Sequence, residues 1–347
     1  MKIYLDDSHC RQQLFPFTHT RHVADIRIGI LTIREKWEKL TGETIYTSIE
    51  DKTDKYLVIN ANIIPTIHNY KEILSQKKSF DFNHSATIKM LDYPWQIFQF
   101  NDWAIRQDFD LLTKNKKSRP ISKTNRCINE TNIFIEEGAT VEHSMINASY
   151  GPVFIGKDVT IMEGNMIRGP FAICEGAVLK MGSKIYAATT IGPFCIAGGE
   201  IKNSVLFGYT NKAHDGYLGD SVLGEWCNLG AGTSNSNIKN TAGEVKYKTD
   251  NALNGIAAGN KGGVLMGDYS RAAINTSFNT ATVVGVCCNI FGQYFPEKYI
   301  PNFSWGNERY LFDKALKDID NWKKMKGREI TENEKQSLLK LYNLNLY

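Results

Sequence analysis

A histidine, a tyrosine and an asparagine lie close together in a glycine-rich stretch of this chain. His214 stands among small residues, Tyr217 follows three positions later, and Asn228 begins the run Asn-Leu-Gly-Ala-Gly. Six glycines between positions 208 and 232 leave little room for a packed helix, but they let backbone approach a ligand closely. Any chemistry that this chain performs is therefore expected between residues 202 and 237.

These residue types suit the transfer of an acyl group to an amine. Histidine, with an unperturbed pKa of about 6.5, can take the proton of an ammonium group near neutral pH. Backbone N–H groups around Ala231 and Gly232 can donate to the oxyanion of a tetrahedral intermediate, because no bulky side chain blocks them. Lys202 offers a cation for a phosphate group. The alternative for His214 is a solvated histidine on a surface of the fold.

The composition is that of an ordinary globular protein. The 347 residues are 42% hydrophobic and carry a formal net charge of +4, and a chain of this length can form two domains. Basic residues are scattered, apart from short clusters at 114–117 and 323–326. A nucleic-acid binder needs a concentrated basic stripe, so small molecules are the expected partners.

The sequence predicts a cytoplasmic protein without a membrane span or a metal site. The first residues contain neither an apolar run nor a cleavage signal, and no stretch approaches the ~18 consecutive apolar residues of a membrane helix. The seven cysteines form no Cys-x-x-Cys pair and no zinc-site spacing. We therefore expect reduced thiols and no bound metal.

A six-residue period dominates the middle of the chain. Seven aliphatic residues from Ile155 to Ile191 are spaced six apart without a break, and five positions from Met266 to Ile290 repeat the spacing. This period fits neither a free helix nor an alternating strand, and it is typical of a hexapeptide parallel β-helix. Three hexads would form one triangular coil of about 18 residues. We therefore predict a left-handed parallel β-helix stabilised by the stacking of its coils.

Glycine content divides the chain into three parts. Of 28 glycines, 24 lie between positions 138 and 292 and only two precede them. We predict an α/β domain over residues 1–125, with helices at 23–37 and 95–112, then the β-helix over residues 126–295. The hexads fail over residues 233–263, which predicts either a functional excursion or a solvated loop. Residues 296–347 are predicted to cap the β-helix and form a helical tail, whose first helix packs on it or against a neighbouring chain.

The hexads and residues 200–238 resemble the acetyltransferase half of the bifunctional glucosamine-1-phosphate acetyltransferase/N-acetylglucosamine-1-phosphate uridylyltransferases. They also resemble archaeal sugar-1-phosphate nucleotidylyltransferase–acetyltransferases. The resemblance rests on Lys202, Lys-Ala-His214, Tyr217-Leu-Gly-Asp220 and Asn228-Leu-Gly-Ala-Gly-Thr233, and covers roughly residues 130–292. It implies an acetyl-CoA-dependent transfer to the amine of an amino-sugar 1-phosphate, at sites between the subunits of a homotrimer.

The resemblance also implies which residues catalyse the reaction and contact the acyl donor. His214 matches the general base, and Asn228 matches a ligand of the substrate or acyl group. Ala231, followed by Gly232, matches a backbone contact to the acetyl-CoA end. The later segment Arg271-Ala-Ala-Ile-Asn275 departs from the bacterial pattern.

Three further residues match ligands of the sugar substrate. Lys202 and Tyr217 match contacts to the sugar phosphate. Asn237 falls where the family has the asparagine of Asn-Tyr-Asp-Gly, although Ile238 and Lys239 follow it in this chain.

The first 125 residues resemble, more weakly, divergent sugar-nucleotidyltransferase domains fused ahead of such helices in some bacteria. The matching segments are residues 15–21, 24–29 and 33–37, whereas the glycine-rich loop that would cradle a triphosphate is absent. Arg21 and Arg27 are candidates for holding a nucleotide phosphate, and Mg²⁺ is expected only if this domain is active. The alternative for both arginines is a surface or interdomain salt bridge.

These observations predict an acetyl-CoA-dependent N-acetyltransferase that acts on a hexosamine 1-phosphate in nucleotide-sugar biosynthesis. One alternative is sugar-1-phosphate nucleotidyl transfer, uridylyl or thymidylyl, by the N-terminal domain. The other is a non-catalytic trimer that binds a sugar nucleotide.

Overall fold

The computed structural model describes residues 2–49, 55–75, 87–249, 252–292 and 295–344. Three ladders of short parallel strands wind around a common interior from Arg126 to Trp305. An α/β region precedes these coils, and two helices follow them. The predicted fold class, a hexapeptide β-helix between an α/β domain and a helical tail, is confirmed.

We name the three ladders faces A, B and C. Face A consists of Arg126–Ile128, Met145–Asn147, Met166–Arg168, Lys184–Tyr186, Glu200–Lys202 and Tyr217–Gly219, and the pair Ser234–Asn235 and Ser277–Phe278 follows its last strand. Face B consists of Ile133–Ile135, Val153–Ile155, Phe171–Ile173, Thr189–Ile191, Val205–Leu206, Val222–Leu223, Leu265–Met266, Val283–Val284 and Tyr299–Ile300. Face C consists of Thr140–Val141, Thr160–Ile161, Val178–Leu179, Ile196–Ala197, Asn211–Lys212, Asn228–Leu229, Arg271–Ala272, Asn289–Ile290, Ser304–Trp305 and the antiparallel Glu308–Arg309.

The six-residue period arises because each hexad places one side chain inside the prism. Ile155 pairs in register with Ile173 on face B, and Ile161 pairs with Leu179 on face C. All twelve predicted hexad positions are buried. Each coil therefore buries its apolar residues against those of the coils before and after it.

The N-terminal region contains a small parallel sheet with Lys2–Asp6 between Ile45–Tyr46 and Tyr56–Asn60. Its helices are α1 (Ile33–Thr41), α2 (Tyr70–Ser75), α3 (Gln96–Gln99) and α4 (Asn101–Thr113). A short hairpin joins Arg27–Ile28 to Leu31–Thr32, and Ile63–Ile64 pairs antiparallel with Lys89–Met90. Single 3₁₀ turns lie at Arg11–Leu14, Phe17–His19, Val23–Asp25 and Glu130–Asn132.

The prediction of one helix over residues 23–37 is wrong for residues 23–32. A 3₁₀ turn and a hairpin occupy these positions, with Gly29 at a φ of +70° between the two hairpin strands. Helix α1 begins only after Thr32, whose side chain and that of Glu35 form a capping box. The helix predicted over 95–112 is divided at Phe100 into α3 and α4.

The N-terminal region packs against face B. An apolar cluster joins it to the outer side of that face and comprises Ile30, Leu31, Ile105, Leu112, Phe134, Phe154, Ala172 and Cys174. Asn101 Nδ2 donates to Thr190 Oγ1 (3.1 Å), and the Thr190 hydroxyl donates to Gly29 O (3.0 Å). These contacts fix the N-terminal region to the β-helix.

The excursion contains a hairpin of Lys246–Thr249 and Ala252–Ala257 that also contacts the N-terminal region. The buried ring of Tyr247 stacks on Trp95, with centroids 5.1 Å apart and planes 8° apart. Gln99 Nε2 donates to Ala258 O (2.8 Å). The hairpin therefore packs on the N-terminal region through Tyr247, while Lys246, Lys248 and Asn254 are exposed to solvent.

The C-terminal helices α5 (Phe312–Lys324) and α6 (Glu332–Leu344) pack on the corner between faces B and C. That corner presents a row of aromatic residues, including Trp226, Tyr269 and Phe303, each with a positive φ. Thr331 and Glu334 form a capping box at the start of α6. Of the two packing partners left open for the first tail helix, this chain's own β-helix is the one observed.

Candidate functional site

His214 lies in an exposed bend where the chain passes from face C to face A. The bend connects Asn211–Lys212 to Tyr217–Gly219. Gly216 has a φ of +127°, and a Cβ atom there would lie 2.1 Å from Thr233 O of the next coil. Only glycine allows the bend to approach that coil so closely, and the approach presents the imidazole of His214 to solvent.

Lys212 supports this bend from inside the β-helix. Its side chain is buried, and Nζ donates to Gly198 O (3.2 Å) and to the carbonyl oxygen of His214. Burial lowers the pKa of Lys212 to about 8. The sequence reasoning missed this residue, although a signal was present: Lys212 lies six positions after Leu206 and six before Leu218, both of which point inward.

We expect the buried ammonium of Lys212 to make the stability of the fold depend on alkaline pH. Its folded-state pKa of about 8 lies below the ordinary value of 10.5, so the charged form destabilises the folded state and this penalty disappears as the pH rises between those values. Relative to Lys212→Met, the wild-type free energy of unfolding should rise by about 3 kcal/mol over that interval. Urea unfolding at several pH values measures it. The same comparison with Lys157→Met, an exposed lysine, should show no such rise, and a flat difference for Lys212→Met would contradict the expectation.

Tyr217 and Asn237, both predicted substrate ligands, are brought together by the structure. Asn237 Nδ2 donates to the Tyr217 hydroxyl oxygen (3.1 Å) and to Asp220. Asp220 also accepts from Asn203 Nδ2 (2.6 Å). Burial and the charge of Asp220 raise the pKa of Tyr217, so its phenol stays neutral and can donate a hydrogen bond.

Lys202 lies on the same outer surface of face A, in register between Tyr186 and Gly219. The Tyr186 hydroxyl donates to Glu200 Oε1 (2.6 Å). Burial, together with this bond, raises the pKa of Tyr186 to about 12. Tyr186 and Glu200 thus extend the row of polar residues beyond those predicted from the sequence, which offered no motif for them.

Asn228 and Ala231 occupy the coil that follows His214. Asn228 is half-buried on face C, in register between Asn211 and Arg271. The N–H of Gly232 donates to Asp215 O (3.0 Å), whereas that of Ala231 has no acceptor among the described residues. Of the two predicted backbone donors, Ala231 is therefore the one available to a ligand.

Arg21 is held in an interdomain ion pair. Its Nη2 pairs with Asp268, and its Nη1 lies 3.3 Å from Glu225 Oε1. Its guanidinium lies 4.9 Å from the ring centroid of Phe207. Thr20 also donates to Asp268 (2.6 Å). These contacts match the salt bridge that the sequence left as an alternative.

Arg27 is buried beneath the same region. Its Nη1 donates to Ile30 O, and its Nη2 lies 3.5 Å from Glu35 Oε2. Neither Arg27 nor Arg21 presents an exposed guanidinium, so the predicted nucleotide-phosphate role gains no support from their positions.

The side chains of Asp6 and Asp7 accept the hydrogen bonds of nearby donors in the loop that follows Lys2–Asp6. Asp6 Oδ1 accepts from the Ser8 N–H (3.0 Å), and Asp7 Oδ2 accepts from Arg11 Nη1 (2.7 Å) and the Val23 N–H (3.2 Å). A triphosphate needs backbone N–H groups and cations at this position, whereas here carboxylates take those donors.

Across the described residues, His, Cys, Asp and Glu form no group of three that could hold a metal ion. None of the described helices is long and apolar enough to cross a membrane.

Comparison with known proteins gives two similarities. A family model described as sugar nucleotidyl transferase matches residues 3–82. The bifunctional protein GlmU of Synechococcus elongatus is 32% identical over 172 residues, which are 50% of this chain and 30% of that protein. For GlmU of Rubrobacter xylanophilus the identity is 36% over 125 residues, 35% of this chain and 22% of that protein. For GlmU of Methanocaldococcus jannaschii the identity is 31% over 117 residues, which are 33% of this chain and 28% of that protein.

The matched part thus spans less than a third of the length of these curated relatives. Both similarities are to transferases, and they confirm the two resemblances recognised in the sequence.

Proposed function

We propose that this chain is an acetyl-CoA-dependent N-acetyltransferase that acts on an amino-sugar 1-phosphate in cytoplasmic nucleotide-sugar biosynthesis. The observation that carries the proposal is the position of His214, between the polar row of face A and the Ala231 turn of the next coil. One side supplies ligands for a sugar phosphate, and the other supplies a donor for an acyl oxygen. We assign this chemistry to the predicted β-helix domain, residues 126–295.

In this reaction His214 removes the proton of the substrate ammonium, and the free amine attacks the thioester carbonyl of acetyl-CoA. The N–H of Ala231 donates to the oxyanion that forms, and Asn228 orients the acyl group or the amine. Lys202 neutralises the sugar phosphate, while the neutral phenol of Tyr217 and the amide of Asn237 hydrogen-bond to the sugar. Collapse of the intermediate breaks the C–S bond, the amide nitrogen loses its extra proton, and the leaving thiolate takes up a proton as CoA is released.

We further propose that the active unit is a homotrimer in which a second copy covers face A. A groove of about 720 Å³ lies on this face, and its lining includes Met145, Met166, Lys184 and Tyr186. Met145 is 60% exposed and Met166 49% exposed, and apolar patches of this kind mark interaction surfaces. Tyr186 belongs both to the groove and to the polar row beside Lys202, so a neighbouring subunit would also complete the site.

Met166→Glu should therefore dissociate the trimer. A carboxylate buried in an apolar interface has no partner, and we expect the assembly to weaken by ~100-fold or more. Light scattering coupled to size exclusion gives the mass. Met181→Glu makes the same change at a residue that is 66% exposed and outside the groove, and it should leave the trimer intact. A monomeric wild type, or a trimeric Met166→Glu, would contradict the interface.

The enzymatic proposal is tested by the release of free CoA from acetyl-CoA with glucosamine 1-phosphate. We expect release that requires the sugar phosphate and that stops when either substrate is omitted. No release from the wild type would refute this activity. Saturable binding of the sugar phosphate or its nucleotide without product would then indicate the non-catalytic trimer.

A second candidate function follows from the sugar nucleotidyl transferase match over residues 3–82. It is nucleotidyl transfer to a sugar 1-phosphate, and its signature is pyrophosphate release from a nucleoside triphosphate in the presence of Mg²⁺. The carboxylates of Asp6 and Asp7 occupy the loop where a triphosphate would lie, so we expect no pyrophosphate.

A further inference from the structure

A column of polar side chains continues along face C beyond the proposed acyl-transfer site. Asn211, Asn228, Arg271 and Asn289 pair in register in four successive coils. The residue after each of them is buried in the interior. Because successive side chains of a strand point to opposite sides, the four members of the column lie on the outer side of the face.

Two members of this column contain buried polar atoms without a partner. Arg271 is 7% exposed, and its Nε and Nη2 have no hydrogen-bond acceptor within the described part of the chain. Asn211 Oδ1 is likewise buried and without a donor there. A buried charge without a counter-group is costly. Such a group is retained where function requires it more often than where packing does.

The surroundings of Arg271 do not supply the missing acceptor. The carboxylate of Asp318 contributes to its electrostatic environment, but Asp318 accepts from the Tyr310 hydroxyl and from Lys314 Nζ (2.8 Å). The ring centroid of Trp322 in α5 lies 5.5 Å from the guanidinium carbon. This cation–π contact restrains the guanidinium plane without satisfying its N–H groups.

The geometry points to an anion subsite in which Arg271 anchors a phosphate or carboxylate group of a ligand that also reaches Asn228. Nε–H and one Nη2–H form one side of the planar guanidinium, which matches two oxygens of such a group. The amides of Asn228 and Asn289, on either side, can donate to further oxygens. This inference rests on the proposed function only for the ligand's identity. Two substrates could supply the anion, the phosphates of the acyl donor or the sugar 1-phosphate.

Calorimetric titration of the full chain with CoA and, separately, with glucosamine 1-phosphate tests the subsite. We expect Arg271→Met to lower the affinity for one of the two ligands by ~10-fold or more, which is the usual contribution of hydrogen bonds to a charged group. The ligand that is weakened identifies the source of the anion. Arg328→Met makes the same change at an exposed arginine and should leave both affinities unchanged. Wild-type affinity of Arg271→Met for both ligands, or no binding of either by the wild type, would overturn the subsite.

A thermal melt without ligand separates this role from a structural one. Methionine replaces an unpartnered buried charge with an apolar side chain, so the Tm of Arg271→Met should equal or exceed that of the wild type. A lower Tm with unchanged ligand affinity would assign Arg271 to the fold and overturn the subsite. If the wild type binds CoA through Arg271 but releases none from acetyl-CoA, the proposed activity fails and the subsite stands.

Discussion

Replacement of His214 with alanine is expected to lower the rate of acyl transfer by ~10²–10⁴, the usual contribution of a general base. The ammonium form of the amino sugar has no lone pair with which to attack the thioester, so loss of the base lowers the supply of the free amine that acts as nucleophile. The fold should persist because the side chain is exposed in its bend. The backbone carbonyl that Lys212 holds is unaffected by the substitution. CoA release and a thermal melt measure the two effects.

His143→Ala is the matched control for this experiment. His143 is also exposed at a corner of the β-helix, but it precedes the proposed site by several coils. We expect wild-type turnover from His143→Ala. Equal turnover in His214→Ala would remove His214 from the mechanism, while the remaining residues could still bind the substrates.

The β-helix could be predicted because the sequence pattern that specifies it is local. Each coil repeats the same inward position, so Ile155 and Ile161 reveal the architecture without reference to distant residues. The residues of the motif around His214 and Tyr217 likewise lie within one coil and the next, so their closeness in space could be predicted from the sequence. Asn237 contacts Tyr217 although the residues after Asn237 depart from the family pattern. Its position one coil after Tyr217 is enough to bring the two side chains together.

Contacts between distant parts of the chain could not be predicted in this way. Tyr247 stacks on Trp95 and Arg21 pairs with Asp268, and no period in the sequence relates either pair. The inward orientation of Lys212 was missed for a different reason. A lysine at an apolar position breaks the pattern that identifies a hexad, although its spacing from Leu206 and Leu218 obeys that pattern.

A buried ion pair connects Lys36 of α1 to Asp108 of α4 within the N-terminal region. Lys36 is 1% exposed and Asp108 2% exposed. Asp108 Oδ2 also accepts from the N–H groups of Ile30 (2.7 Å) and Leu31 (3.1 Å). One carboxylate thus joins α1, the Arg27–Thr32 hairpin and α4.

Lys36→Met should destabilise the fold by about 3–5 kcal/mol near neutral pH, because it leaves the carboxylate of Asp108 buried without a cation. Urea unfolding measures the loss. Burial raises the pKa of Asp108, and Lys36 opposes that rise, so in the variant the pKa should rise further. A folded-state pKa above the unfolded value of about 3.9 favours folding at low pH and loses that advantage as the pH rises. The destabilisation should therefore be smaller near pH 5 than near pH 8.

The double variant Lys36→Met, Asp108→Asn distinguishes a stranded charge from a loss of packing. Asparagine retains an oxygen that can accept from Ile30 and Leu31 but carries no charge, so the double variant should be more stable than Lys36→Met alone. Its stability should also lose the pH dependence of the single variant. If the second substitution adds its own loss to the first at every pH, the loss in Lys36→Met does not come from a stranded carboxylate, and the expectation is contradicted.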